Sequence, residues 1–217
     1  PAKAVMPSGY SQVETLDAKG FSREIERILD LYPREVTEVQ FNLLSSHDTP
    51  RFKTLAHNDD SAYRLALLFQ MTYPGAPSIY YGEEIGMEGN HDPDCRRGFP
   101  WDEGQWDVDL RTFVQRCISL RKAHPALRRG DFAWLLAEDD VVAYVRRLED
   151  EAVLVALNNS QKAVTVDLPV RDILDEDMQI REVWNGTTKQ VHEGKVQAVD
   201  IPARSGTVFL AESAPAS

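Results

Sequence analysis

The sequence predicts two parts of different fold class: an α/β part with the strand–helix–strand pattern of a (β/α) barrel, then an eight-stranded antiparallel β-sandwich. Two observations support this prediction. Residues 41–81 have the pattern of a strand, a helix and a second strand, which is the repeating unit of a parallel barrel. From about residue 130 the pattern changes to short β segments separated by turns. We therefore expect one domain at residues 1–129 and another at 130–217.

Three stretches of the first domain have helical periodicity. Residues 21–32 place apolar side chains at helical spacing, with Ser22 as the expected cap and Pro33 as the stop. Residues 59–73 carry a second apolar stripe, and Asp109 is the expected cap of a third helix. Each stripe predicts a helix that buries one face.

The two strands of the first domain are expected at residues 38–44 and 78–81. In the first strand the alternation of polar and apolar residues stops before the end of the strand. This pattern is typical of a barrel strand that is covered on both faces. It is followed by adjacent His47 and Asp48, and barrel strands present catalytic side chains at this end. Residues 82–107 show no periodicity, and a loop of that length in a compact domain is usually functional.

The second domain alternates β-rich segments with turn sequences, at residues 138–140, 149–151, 185–186 and 193–194. Eight antiparallel strands of this spacing favour a sandwich. The expected strands are residues 132–137, 141–148, 152–158, 163–169, 179–184, 188–192, 196–201 and 207–211.

Composition and charge exclude several classes of function. With 24 basic and 35 acidic residues the net charge is -11, which argues against nucleic acid and anionic membrane surfaces as partners. Cys95 and Cys117 have no metal-site spacing, so we predict no disulfide framework and favour a cytoplasmic protein. The first residues, PAKAVMPSGYSQ, lack an initiator Met and a signal-peptide core, and we expect the chain to begin within a longer protein.

Two motifs carry a family resemblance. FNLLSSHDTPRF at residues 41–52 and YPGAPSIYYGEEIGMEGNHDPDCRRGFPWDE at residues 73–103 resemble the α-amylase family of glycoside hydrolases. Within that family they are most similar to the neopullulanase, cyclomaltodextrinase and maltogenic amylase group. The resemblance implies the last two strands and helices of a TIM (β/α)8 barrel, followed by the sandwich. It covers only the C-terminal part of such an enzyme.

The resemblance also implies roles for four side chains. Asp48 corresponds to a carboxylate that hydrogen-bonds the sugar beside the anomeric carbon and stabilises the transition state, and His47 would contact the same sugar. Asp92 and Arg96 would bind a donor-side glucose. Each pair of residues has an alternative interpretation. The His-Asp pair could form a turn or cap a helix, and Asp92 and Arg96 could form an ion pair that only stabilises the loop. No metal and no cofactor are predicted.

Retaining hydrolysis needs two carboxyl groups about 5 to 5.5 Å apart. The nucleophile Asp and acid/base Glu of the family lie upstream of any motif in this sequence. Glu83 and Glu84 are alternative candidates for these two catalytic carboxyl groups. Members of the family, however, commonly have the sequence Gly-Asp-Glu at this position, where it belongs to a hydrogen-bonded framework. Glu83 replaces that Asp. The aromatic side chains of the loop are candidates for stacking on sugars or for the core, namely Phe99, Trp101 and Trp106.

These implications define the expected function. The parent enzyme would hydrolyse α-1,4-glucosidic bonds of maltodextrins, cyclodextrins or pullulan, whereas this chain alone should be inactive. Its partners would be an α-glucan oligosaccharide and the remaining N-terminal barrel segment, and a homo-oligomer is left open. The alternatives are an α-glucanotransferase, an α-glucosidase, and a non-catalytic sugar-binding or interaction subunit.

Overall fold

The computed structural model describes residues 15–212. Residues 1–14 and 213–217, which the predicted domains include, lie outside the described residues, as does the PAKAVMPSGYSQ segment. Single 3-10 turns lie in the long loop at Glu83–Ile85, Asp94–Arg96 and Glu103–Gln105. The α/β part contains α1 (Ala18–Leu29), α2 (Arg34–Thr37), β1 (Phe41–Leu43), α3 (Phe52–Leu55), α4 (Asp60–Thr72), β2 (Ala76–Ser78), α5 (Val108–Ala123) and α6 (Pro125–Arg129).

The predicted helices form, but two of them begin earlier than their expected caps. Asp17 caps α1 by accepting the Gly20 amide at 2.6 Å, whereas Ser22 lies inside the helix and donates to the Lys19 carbonyl. Asp107 rather than Asp109 caps α5. In both cases an upstream aspartate already satisfies the free amides of the first turn, so the helix starts there.

The two predicted strands pair in parallel, but β1 is shorter than expected and β2 lies at Ala76–Ser78, earlier than the predicted residues 78–81. Residue 41 of β1 lies opposite residue 76 of β2, and residue 43 lies opposite residue 78. Glu38 belongs to the end of α2 instead of β1. The amide of Tyr80 donates to the Glu83 carboxylate at 2.8 Å instead of to a neighbouring strand, so β2 ends at Ser78. The helix α4 connects the two strands, which confirms the predicted strand–helix–strand unit.

One face of the strand β1 exposes apolar side chains. The side chains of Phe41 and Leu43 are 75% and 48% exposed, although the sequence predicts a buried strand. Within residues 15–212 the sheet has only the two strands β1 and β2, so nothing pairs with the outer edge of either strand. More large apolar side chains of the α/β part are exposed in the same region, namely Leu31, Tyr32, Val36 and Val39.

The eight predicted strands of the second part all form. They are β3 (Asp131–Glu138), β4 (Val141–Leu148), β5 (Glu151–Asn158), β6 (Val164–Pro169), β7 (Gln179–Glu182), β8 (Thr188–His192), β9 (Lys195–Ile201) and β10 (Ser205–Glu212). Their order in the sheet is β3-β4-β5-β10-β7-β8-β9-β6, with antiparallel neighbours throughout. The sheet curls until β3 and β6 approach each other, and it encloses an aliphatic core.

The strand β5 joins the two parts because it is buried on both faces. Its residues 152, 154 and 156 point into the sandwich core. Residues 153, 155 and 157 pack instead with the helices of the α/β part. This alternation follows from the two-residue period of a strand and makes β5 a continuous apolar segment.

Two buried arginines bind the end of α4. The Arg121 guanidinium donates to the carbonyls of Met71 at 2.8 Å and Tyr73 at 3.0 Å. From β4, Arg146 donates to the carbonyl of Thr72 at 2.7 Å. It also donates to the carbonyls of Leu127 and Gly130, both at 2.9 Å. These carbonyls lie at helix ends and in a loop. They therefore have no hydrogen-bond partner among the backbone amides of a helix.

We expect Arg146→Met to destabilise the protein by about 3 kcal/mol, because it removes hydrogen bonds from a charged donor and leaves buried carbonyls unpaired. Urea unfolding monitored by circular dichroism measures the change. Arg147→Met is the matched control, since Arg147 is the next residue of β4 and is exposed. Equal losses of stability in the two variants would contradict the structural role of Arg146.

Candidate active site at the end of the first strand

His47 and Asp48 lie in the turn between β1 and α3, at the carboxyl end of the strand. The Ser46 hydroxyl accepts the Asp48 amide at 3.1 Å, and the Thr49 hydroxyl accepts the Ser46 amide at 3.0 Å. This turn leaves the His47 and Asp48 side chains 64% and 63% exposed. Asp48 caps no helix, because α3 begins after Arg51 and has no side-chain cap. The pair thus lies in a turn, as one alternative states, but its interpretation as a helix cap is wrong.

Arg96 contacts the other three candidate site residues that the sequence indicates. Its Nε lies 3.0 Å from Asp92 Oδ1 and donates to the His47 carbonyl at 2.9 Å. Its Nη2 lies 3.4 Å from Asp48 Oδ1, and His47 Nε2 lies 3.2 Å from Asp48 Oδ2. The structure thus brings His47, Asp48, Asp92 and Arg96 into one cluster. Exposed ion pairs of this kind contribute little to the free energy of folding. A ligand could therefore replace these contacts at little energetic cost.

Beneath this cluster Arg51 joins three segments of the rim. It is fully buried, donates from Nε to the Cys95 carbonyl at 3.1 Å and donates from Nη1 to the Tyr81 carbonyl at 2.7 Å. Its guanidinium lies over the rings of Tyr80 and Tyr81, 4.6 and 4.7 Å from their centroids. Its carbonyl and ring contacts come from distant segments, which no local pattern indicates.

Glu83 is also buried and is 1% exposed. Its carboxylate accepts a hydrogen bond from the Ser45 hydroxyl and another from the Tyr80 amide, while its carbonyl accepts the Tyr63 hydroxyl at 2.9 Å. Burial raises the pKa of Glu83 to about 7, against the lowering effects of these hydrogen bonds and of Arg51. A carboxyl group enclosed in this way does not reach a sugar, so it is no substitute for the acid/base residue.

The aromatic residues of the long loop separate into anchored and exposed members. Trp106 donates from its indole nitrogen to the Pro100 carbonyl at 2.7 Å, and Arg111 lies over its ring. Phe99 packs between Trp106 and Trp101, with ring centroids 5.8 and 4.9 Å away. Trp101 itself is 84% exposed. Trp101 is therefore no core residue of the described chain, whereas Phe99 and Trp106 are half-buried in the loop.

Other kinds of site have no candidate within residues 15–212. No three His, Cys, Asp or Glu side chains of this part of the chain are grouped closely enough to hold a metal ion. None of its helices combines the length and the apolar character needed to cross a bilayer. Cys95 and Cys117 are both buried free thiols, and the Cys95 thiol donates to the His47 carbonyl at 3.3 Å.

Comparison with known proteins agrees with the family resemblance. Residues 6–139 match the family described as "Alpha amylase, catalytic domain", and residues 132–210 match "Neopullulanase-like, C-terminal domain". The chain is 47% identical over 152 residues to a cyclomaltodextrinase of Bacillus sp, an alignment that covers 69% of this chain and 27% of that relative. It is 43% identical over 157 residues to neopullulanase 2 of Thermoactinomyces vulgaris, with 71% and 27% covered.

Solved structures give the same result. A cyclomaltodextrinase structure superposes with a TM-score of 0.81 and 39% identity, over 90% of this chain and 33% of that chain. Ttha1563 from Thermus thermophilus superposes with a TM-score of 0.85 and 34% identity, over 91% and 41%. The chain thus spans 27% of the length of the first two curated relatives. The α/β part and the sandwich are both covered by these matches.

The raised pKa of Glu83 predicts a pH-dependent stability. The folded state holds this proton more tightly than the unfolded state, so the stabilisation is complete below about pH 4.5 and is lost as the pH rises through about 7. The Glu83→Gln variant stays neutral at every pH. As the pH rises from about 4.5 to above 7, we expect its free energy of unfolding to increase by roughly 3 kcal/mol relative to that of the wild type. Urea unfolding of both proteins at several pH values measures the difference. A difference that does not vary with pH would contradict the prediction.

Proposed function

This chain belongs to the α-amylase family, and on that premise we propose that it is the C-terminal portion of a retaining glycosidase that cleaves α-1,4-glucosidic bonds of maltodextrins, cyclodextrins or pullulan. The observation that carries the proposal is the cluster of His47, Asp48, Asp92 and Arg96 at the carboxyl end of β1. The names of the similar proteins, cyclomaltodextrinase and neopullulanase, support this substrate class. The division at residues 129 and 130 is part of the proposal, since α6 ends at Arg129 and β3 begins at Asp131.

The proposed role of Asp48 follows from its charge and exposure. Its carboxylate is open to a ligand and would hydrogen-bond sugar hydroxyls next to the anomeric carbon, with His47 on the same sugar. As the ring flattens toward an oxocarbenium ion, positive charge develops near this carboxylate. An interaction that strengthens in this way lowers the barrier more than it lowers the free energy of substrate binding.

Asp92 and Arg96 are proposed to bind the next glucose on the donor side. A planar guanidinium donates two parallel hydrogen bonds, and a carboxylate accepts two, so each group can bridge neighbouring hydroxyls. Arg96 also fixes the Asp48 carboxylate and the His47 backbone, which couples the two sugar positions. In this proposal the ion pair between Arg96 and Asp92 positions the ligand-binding groups as well as stabilising the loop.

The nucleophile and the acid/base are proposed to come from an upstream barrel segment. Two parallel strands do not close a barrel, the outer edge of β1 has no pairing strand within residues 15–212, and the side chains of Phe41 and Leu43 are exposed on one face of this strand. We propose that the upstream barrel segment of the same enzyme pairs with this edge and covers these side chains. The two buried thiols support a reducing, cytoplasmic setting for the enzyme.

Three rivals make different predictions for the assembled protein. A glucanotransferase would yield glucans longer than the substrate, and an α-glucosidase would release glucose only. A non-catalytic sugar-binding subunit would bind maltodextrin without cleaving it, even with the upstream segment present. A homo-oligomer is a further proposal, which light scattering of the assembled protein tests.

We expect Asp48→Asn in the full-length enzyme to lower kcat by an amount equivalent to about 2.7 to 4 kcal/mol, since it removes the charge that faces the transition state. The thermal midpoint should stay nearly unchanged because the side chain is 63% exposed. Turnover, maltodextrin affinity and thermal midpoint are measured together, with exposed Asp109→Asn as the control. Near wild-type turnover with a lowered midpoint would reject the catalytic assignment.

The 217-residue chain by itself should release no reducing sugar from maltodextrin or cyclodextrin, and it should self-associate through the exposed apolar side chains of β1. Addition of a polypeptide that carries the upstream strands should give a one-to-one complex and restore hydrolysis. The same mixture made with the Asp48→Asn chain is the control and should assemble without comparable activity. Hydrolysis by the chain alone that disappears in Asp48→Ala would overturn this prediction.

A further inference from the structure

A single buried hydroxyl closes the loop that carries His47 and Asp48. Ser45 is 2% exposed, and its oxygen accepts the Phe52 amide at 2.9 Å. The same hydroxyl donates its proton to Glu83 Oε1. The first residue of the loop is therefore bonded to the residue that starts α3, and the carboxylate of Glu83 fixes the direction of the hydroxyl.

Glu83 also connects this loop to the second strand. Its other oxygen, Oε2, accepts the Tyr80 amide at 2.8 Å, just after β2 ends. The Tyr63 hydroxyl of α4 holds the Glu83 backbone from the opposite side. The carboxylate thus lies between the ends of both parallel strands, below the exposed cluster, and touches neither His47 nor Asp48 directly.

We propose that Glu83 is a positioning residue: through Ser45 its carboxyl group sets the conformation of residues 45–52, and its ionisation loosens the loop that presents Asp48. This inference deepens the proposed function and depends on it for its consequence in catalysis. The conformational part stands on the contacts of Ser45, Tyr80 and Glu83 alone.

The charged and titratable groups around Glu83 determine the direction of the effect. Arg51 favours the ionised form, Glu84 opposes it, and Tyr63 and Tyr80 stay neutral because burial raises the pKa of each hydroxyl. Burial outweighs these effects and raises the pKa of Glu83 to about 7. Opening of the loop lets water reach the carboxylate, so opening becomes easier as the pH rises from about 4.5 to 7.

Hydrogen exchange of the 217-residue chain, in complex with its upstream segment or alone, tests the conformational part. We expect the protection factors of the Phe52 and Tyr80 amides to fall on the order of 100-fold between about pH 5 and about pH 8. Glu83→Gln should abolish this pH dependence, and Glu84→Gln, the adjacent control, should keep it.

Kinetics of the full-length enzyme test the consequence for catalysis. We expect kcat of the wild type to decline above about pH 7 relative to Glu83→Gln, with a smaller change in KM. Glu83→Asp retains an ionisable carboxyl and should retain a pH-dependent protection of the Tyr80 amide, even if Glu83→Gln folds poorly. Equal pH profiles of exchange in wild type and Glu83→Gln would overturn the proposal. An enzyme without any hydrolytic activity would overturn the proposed function, while the exchange result would still decide the role of Glu83.

Discussion

The helix α4 ends with buried carbonyls that two arginines satisfy, and this arrangement holds the two parts of the protein together. The last carbonyls of a helix have no partner within it, and this helix ends under the β-sandwich, away from water. Arg121 from α5 and Arg146 from β4 donate to the carbonyls at residues 71, 72 and 73. Burial lowers the pKa of both guanidinium groups to about 10, so both remain charged near neutral pH. Because one arginine comes from each part, the same interaction fixes the sandwich against the α/β part.

The position of α4 in turn determines the position of the candidate site. Gln70 on this helix donates to the carbonyls of Asn42 in β1 and Ser78 in β2, which holds the two strands together from below. Tyr63, two turns earlier, binds the backbone of Glu83. The two strands and the start of the long loop at Glu83 are therefore held by one helix. A site that must hold polar groups in a fixed geometry gains precision from such support.

The site combines two layers with different energetics. His47, Asp48, Asp92 and Arg96 are exposed, and their mutual ion pairs are weak because water screens them. Beneath them Ser45, Arg51 and Glu83 are buried and hydrogen-bonded, where the loss of a partner has a large energetic effect. The buried layer keeps the exposed layer in place, so that the exposed groups can exchange their weak mutual contacts for contacts with a sugar.

Features that depend on local pattern can be predicted from the amino-acid sequence. The eight strands of the sandwich follow from alternation and turn residues, whereas the four residues of the exposed cluster were named through the family resemblance of the motifs around them. Other features form only in the folded chain, because they depend on contacts between distant segments. Glu83 is adjacent to Glu84 in the sequence, but it is enclosed only because Ser45, Tyr63 and Tyr80 converge on it. Likewise the apolar residues of β1 predict burial, whereas Phe41 and Leu43 are exposed because no segment of residues 15–212 covers this side of the strand, and no local pattern specifies what covers it.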